Sequence, residues 1–152
     1  MDSGPASWRQ QLVDDDEGLR RILVETRRIA VLGIKTEKQA GQPAYDVPAY
    51  LAAAGYEVEP VPVYYPEVTH ILGRRVYRSL AEIPGPVDLV NVFRRGPDIP
   101  SHVEDILAKK PAVVWFQLGI RNDAAAAEFA RAGIRVVQDR CIFVDHRRLL
   151  RR

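Results

Sequence analysis

Five short apolar runs rich in β-branched and aromatic residues, 29–34, 58–63, 87–93, 112–118 and 134–137, alternate with stretches of helical periodicity. No other feature restricts the fold as tightly. Strands that read as nearly continuous apolar runs are buried on both faces, and helices between them supply the crossovers that parallel pairing requires. The expected architecture is an α/β domain, an open parallel sheet of about five strands with helices on both faces.

The second run fixes its own place. "VEPVPV" carries Pro60 and Pro62 two positions apart, so both missing N–H donors fall on the same side of the strand and that side is unpaired. The run is an edge, which favours the order 2-1-3-4-5 over one with a further strand outside it. Between the runs, Val47, Tyr50, Leu51 and Ala54 form one helical stripe, with Pro48 expected in its opening turn and Gly55 at its end. Ile99, Val103, Ile106 and Leu107 form a second behind an Asp98 cap, and a third runs from an Asn122 cap through Phe129 to Gly133. Ahead of the first run, the acidic residues 14–17 precede Leu19, Ile22, Leu23 and Thr26, a stripe whose first turn carries the charge that the helix dipole favours. Residues 1–17 read as an N-terminal tail, and 18–152 as one domain. Residues 64–80 read as an irregular connection, with a helical turn over 79–83.

Composition bounds the partners. A chain of 152 residues, 47% of them apolar, suffices for one core. With 22 basic against 20 acidic residues, no global field recruits nucleic acid or a membrane, so any basic site is local. A single cysteine, Cys141, excludes an internal disulfide and a cysteine-based metal cage. With no apolar leader in the first ten residues, the expected setting is cytoplasmic. Which protein partner the chain meets is not legible in the sequence.

In an open parallel sheet, ligands bind beyond the carboxyl ends of the strands, near the point where the order reverses. After the first run come Gly33, Lys35, Thr36 and Lys38; after the third, Arg94 and Arg95; after the fourth, Gln117, Gly119 and Arg121; after the fifth, Arg140. Cations just before helix N-termini oppose the dipole, and a bound anion reverses that penalty. Either the cations are ordinary solvated side chains, the preferred reading for Arg121 and Arg140 singly, or the loop lysines with Arg94 and Arg95 hold a polyanion. The first loop lacks G-x-G-x-x-G, the second run ends in "VYYP" without a ribose carboxylate, and no G-x-x-x-x-G-K-[ST] occurs. NAD and simple triphosphate hydrolysis are disfavoured.

The segments "RRIAVLGI", "QPAYDVPAYL", "GYEVEPV", "ILGRRVYRSLAEIPGPVDLVNVFRR", "VVWFQLGIRN" and "AGIRVVQDRCIFVDHRRL" resemble the small bacterial CoA-binding proteins, stand-alone relatives of the CoA-binding domain of succinyl-CoA synthetase. The likeness spans roughly residues 18–150. It implies a Rossmann-like sheet that binds coenzyme A or an acyl-CoA, with the diphosphate at the loop after the first strand. Carried over by position, Gly33, Ile34, Lys35, Thr36, Lys38 and Tyr45 belong to the first loop, Val63 and Tyr64 to the second, Phe93, Arg94 and Arg95 to the third, and Gln117 to the fourth. The family loop usually reads close to G-x-S-x-K-P-x-R-P-S-Y; this one is longer and ends in Gln42-Pro43-Ala44-Tyr45.

The resemblance implies a non-catalytic binding module, a ligand sensor, carrier or regulator, because the synthetases take their phosphorylated histidine from another domain. The alternatives are an enzyme acting on an acyl-CoA or nucleotide near Cys141 and His146, and an NAD-type redox sensor. Five helical positions place Cys141 and His146 about 140° apart around an axis, which argues against a direct dyad. His70 and His102 read as surface residues, Trp115 and Phe116 as core. Tyr64 and Tyr65 are placed either to stack a base or to pack against the loop. No metal site is expected.

Overall fold

The computed structural model describes residues 7–150. Its strands are β1 (Arg28–Leu32), β2 (Glu57–Val61), β3 (His70–Ile71), β4 (Arg74–Arg75), β5 (Leu89–Val92), β6 (Val113–Phe116) and β7 (Arg135–Val137). Five of them form one parallel sheet in the order β2-β1-β5-β6-β7, while β3 and β4 form an antiparallel hairpin. Counted over the apolar runs alone, this is the expected order 2-1-3-4-5. The hairpin lies within the connection that read as irregular, because two residues per strand leave no periodicity to detect.

Five α-helices complete the layers: α1 (Asp16–Glu25), α2 (Pro43–Ala53), α3 (Val103–Lys109), α4 (Asp123–Arg131) and α5 (Ile142–Leu150). Successive strand residues point to opposite faces, so each strand feeds two cores. Ala30, Leu32, Val90, Val92, Val114 and Phe116 pack with Val103, Ile106 and Phe129 of α3 and α4. Ile29, Val31, Leu89, Val113 and Trp115 pack with Leu19, Ile22, Leu51 and Ile142 of α1, α2 and α5. Trp115 and Phe116 are fully buried. The caps are local: Asp15 accepts from the Gly18 N–H, and Asn122 Oδ1 accepts from the Ala125 N–H at 3.0 Å. Asp98 does not cap α3. It lies inside a 3-10 segment, Gly96–His102, that leads into the helix.

Both sheet edges are covered. On β2, the Pro60 carbonyl accepts from the Tyr77 N–H at 2.9 Å, and the buried Glu59 pairs with Arg28 and Arg74 at 2.8 and 2.9 Å. Burial alone would push the Glu59 carboxyl up; the two guanidiniums outweigh it and hold the group below its ordinary value. On β7, Leu12 forms a parallel bridge to Val136, and the Val13 N–H donates to the Val136 carbonyl at 2.9 Å. A 3-10 turn, Ser7–Gln11, sets Trp8 against the core, with the guanidiniums of Arg9 and Arg131 at 4.5 and 4.8 Å from its ring centre. The described part of the segment read as a tail is therefore docked, and the boundary at residue 17 falls inside α1.

Candidate ligand-binding cleft

The carboxyl ends of β1, β5 and β6 meet at one rim of the sheet. The chain leaves β1 through Gly33, at φ +89°, where a side-chain carbon would lie 2.5 Å from the Phe93 carbonyl oxygen. No L-residue fits there without displacing the β5 exit. The following loop folds on itself: Thr36 Oγ1 accepts from the Lys38 N–H at 3.2 Å, and Gln39 Oε1 accepts from the Thr36 N–H at 3.0 Å. Glu37 accepts from the Leu72 N–H at 2.7 Å, which ties the loop to the β3–β4 hairpin.

Pro48 is the second fastening. It lies inside α2, not in the opening turn, because the helix begins at Pro43. A proline there cannot donate to the carbonyl four residues back, and that carbonyl, of Ala44, instead accepts from the Lys35 N–H at 3.1 Å. The irregular position in the helix thus anchors the loop. In the first turn of α2, the Tyr45 and Asp46 N–H groups both donate to the Gln42 carbonyl, and Ala44, at the mouth of the cleft, keeps an unengaged amide.

The resulting cleft measures about 520 Å³. One wall is Gly33, Ile34, Lys35, Gln42, Pro43 and Ala44; the other elements contribute Tyr64 and Tyr65, Phe93 to Pro97, and Gly119 with Ile120. Lys35, Arg94 and Arg95 therefore share one groove. Lys35 Nζ is 2.5 Å from Gln42 Oε1. Arg95 is 81% exposed and pairs with Asp98 at 3.2 Å. Arg94, only 15% exposed, donates from Nε to His102 Nε2 at 3.2 Å and from Nη1 to the Tyr64 hydroxyl at 3.4 Å, with its guanidinium carbon 5.6 Å from the Tyr64 ring centre. Burial, then Arg94, holds the His102 imidazole below its ordinary value, so it is neutral and accepts.

Seven of the sequence-predicted residues line the cleft: Gly33, Ile34, Lys35, Tyr64, Phe93, Arg94 and Arg95. Five do not. Thr36 is buried as the cap of the loop turn, and Lys38 is exposed outside the cleft. Tyr45 packs on the α2 side of the core, Val63 is exposed before the tyrosines, and Gln117 is buried, accepting from Asn91 Nδ2 and the Ile142 N–H. Gly96 was not foreseen: a side chain there would run into the Arg121 carbonyl, which seals the β5 loop against the β6 loop. Nor was Arg78, whose guanidinium donates to the carbonyls of Tyr64, Tyr65, Pro66 and Val68 and shapes the aromatic wall. His102, read as a surface residue, stands half-buried behind Arg94. Arg121 and Arg140 are spent on carboxylates, Asp123 and the pair Asp145 and Asp14.

Neither Cys141 nor His146 lines the cleft. Cys141 packs beside the core, and His146 Nδ1 lies 2.8 Å from the Tyr50 hydroxyl, its ring edge-on to Tyr50 and Tyr56. Among the described residues no group of three or more candidate ligands could hold a metal ion, and no helix is long and apolar enough to cross a membrane.

A family model described as "CoA binding domain" matches residues 27–147. The chain belongs to the CoA binding domain family. The match runs from just before β1 into α5, so every wall of the cleft lies within it. This CoA binding domain is similar to "Uncharacterized protein YneT" of Bacillus subtilis (strain 168), 36% identical over 128 residues, 84% of this chain and 91% of that one. Among solved structures it is similar to the Thermus thermophilus protein ID.343, with 37% identity, a TM-score of 0.82 and coverage of 90% of this chain and 100% of that one. A hypothetical protein from Pyrococcus horikoshii OT3 superposes with 33% identity and a TM-score of 0.80, over 90% and 93% of the two chains.

Proposed function

We propose that the cleft binds coenzyme A or an acyl-CoA, and that the chain works without catalysis as a ligand sensor, carrier or regulator. One observation carries this: Lys35, Arg94 and Arg95 line the same groove as the open amide of Ala44, a donor set that suits a diphosphate. Tyr64 and Tyr65 line the same cleft and offer aromatic faces on which a base can stack. The lining includes no carboxylate, thiol, hydroxyl of serine or threonine, or imidazole, which favours binding over acyl chemistry. The absence of a carboxylate at the end of β2 weighs against a dinucleotide.

Thermal melting with CoA, NAD and ATP at one common concentration, about a hundredfold above the dissociation constant of CoA, separates these readings. CoA is expected to stabilise by about 2.7 kcal/mol at that excess, and Arg94→Ala to weaken it by about tenfold or more. No shift with CoA sinks the proposal. CoA turnover that disappears in Cys141→Ser would replace it with the enzymatic reading.

A further inference from the structure

Of the two arginines that line the cleft, Arg94 has little solvent contact: its side chain is 15% exposed, against 81% for Arg95. Something must therefore set its direction. Its Nε–H donates to His102 Nε2 at 3.2 Å, Nη1 reaches the Tyr64 hydroxyl at 3.4 Å, and Nη2 is a loose 3.9 Å from Asp98. The histidine is the nearest of the three, and it occupies the nitrogen that leaves both Nη groups for other acceptors. His102 itself lies outside the cleft lining.

We propose that His102 is the positioning residue for Arg94, and that its protonation switches the cleft from a ligand-retaining to a ligand-releasing state. The inference rests on the coenzyme A reading above. An imidazolium has two N–H donors and no acceptor, so protonation removes the Nε bond and sets a like charge against the guanidinium. The added charge cannot serve the anion directly, because Arg94 stands between it and the cleft. The charged groups facing His102 are Arg94 from the β5 exit, Asp98 from the 3-10 segment and Asp105 from α3. The two carboxylates favour the imidazolium, but burial and Arg94 outweigh them. Asp98 is paired with Arg95, and Asp105 accepts from the Leu80 and Ala81 N–H groups. With the folded-state affinity for the proton depressed, the arrangement is intact near neutrality and is lost as pH falls.

The test is calorimetric titration of CoA into the full chain at about pH 7.5 and about pH 4.5, the second well below the ordinary imidazole value because burial and Arg94 depress it. Wild type is expected to lose affinity about tenfold across that interval. His102→Gln presents an amide oxygen to Nε and does not titrate; it should bind as wild type does at the higher pH and lose about twofold at most at the lower. Any titration of the ligand's own phosphates is common to both proteins and cancels. Arg94→Lys, which lacks the Nε donor, should flatten the pH response with His102 intact, and serves if the histidine variant does not fold. Parallel profiles for wild type and both variants overturn the switch and leave coenzyme A binding standing. Failure of wild type to bind CoA at either pH overturns the reading beneath it as well.

Discussion

Gly33 shows how much one position decides. Its φ of +89° and the 2.5 Å that a side-chain carbon would leave to the Phe93 carbonyl act on the junction where β1 and β5 deliver their loops. Gly33→Ala is expected to cost about 2 kcal/mol or more in denaturant unfolding, with a larger relative loss of CoA affinity, because the strain falls on the Arg94 backbone. This residue was legible, since a glycine directly after an apolar β run means a sharp exit. So were Arg94 and Arg95, the first polar residues after the third run. Lys38 and Gln117 lie off the cleft for separate reasons: three residues beyond Lys35 the Thr36 cap has already turned the chain away, and Gln117 turns inward to Asn91 and the Ile142 N–H. His102 was invisible for another reason. It lies eight positions beyond Arg94, and only the 3-10 segment Gly96–His102 brings them together.

At the scale of elements, α2 is the informative case. Apolar spacing gave its stripe, but its start was placed too late, because Pro43 at N1 carries no apolar signal while Pro48 looks like a first-turn proline. The structure uses both, and Pro48 frees the carbonyl that holds Lys35. Pro48→Ala restores a competing N–H to that carbonyl. Hydrogen exchange should then show the Lys35 amide exchanging faster while the middle of α2 becomes better protected; unchanged Lys35 protection would mean that the loop needs no such anchor. The β3–β4 hairpin escaped reading, yet it joins the β1 loop through Glu37 and the β2 edge through Arg74. Arg78, just past it, fastens the stretch that carries Tyr64 and Tyr65. The aromatic wall is thus a long-range product: its tyrosines were legible at the end of the second run, but the Arg78 contacts that hold them were not.

For the whole molecule, the five-strand order followed from two prolines and the alternation of runs, because burial on both faces leaves few topologies open. The border on the β7 side did not, since a short 3-10 turn with one tryptophan has no period. Trp8→Ala tests its weight. Loss of the ring from between Arg9, Arg131 and the core should reduce stability by about 2 kcal/mol in chemical denaturation, and should let the Leu12–Val13 segment leave Val136. The apparent molar mass from light scattering would then rise with concentration in the variant and not in wild type. The wild-type sheet ends on one margin in a borrowed stretch of its own chain and on the other in proline and paired charge. Among the described residues, neither margin offers a long bare strand to a neighbouring molecule, the feature through which sheets join edge to edge.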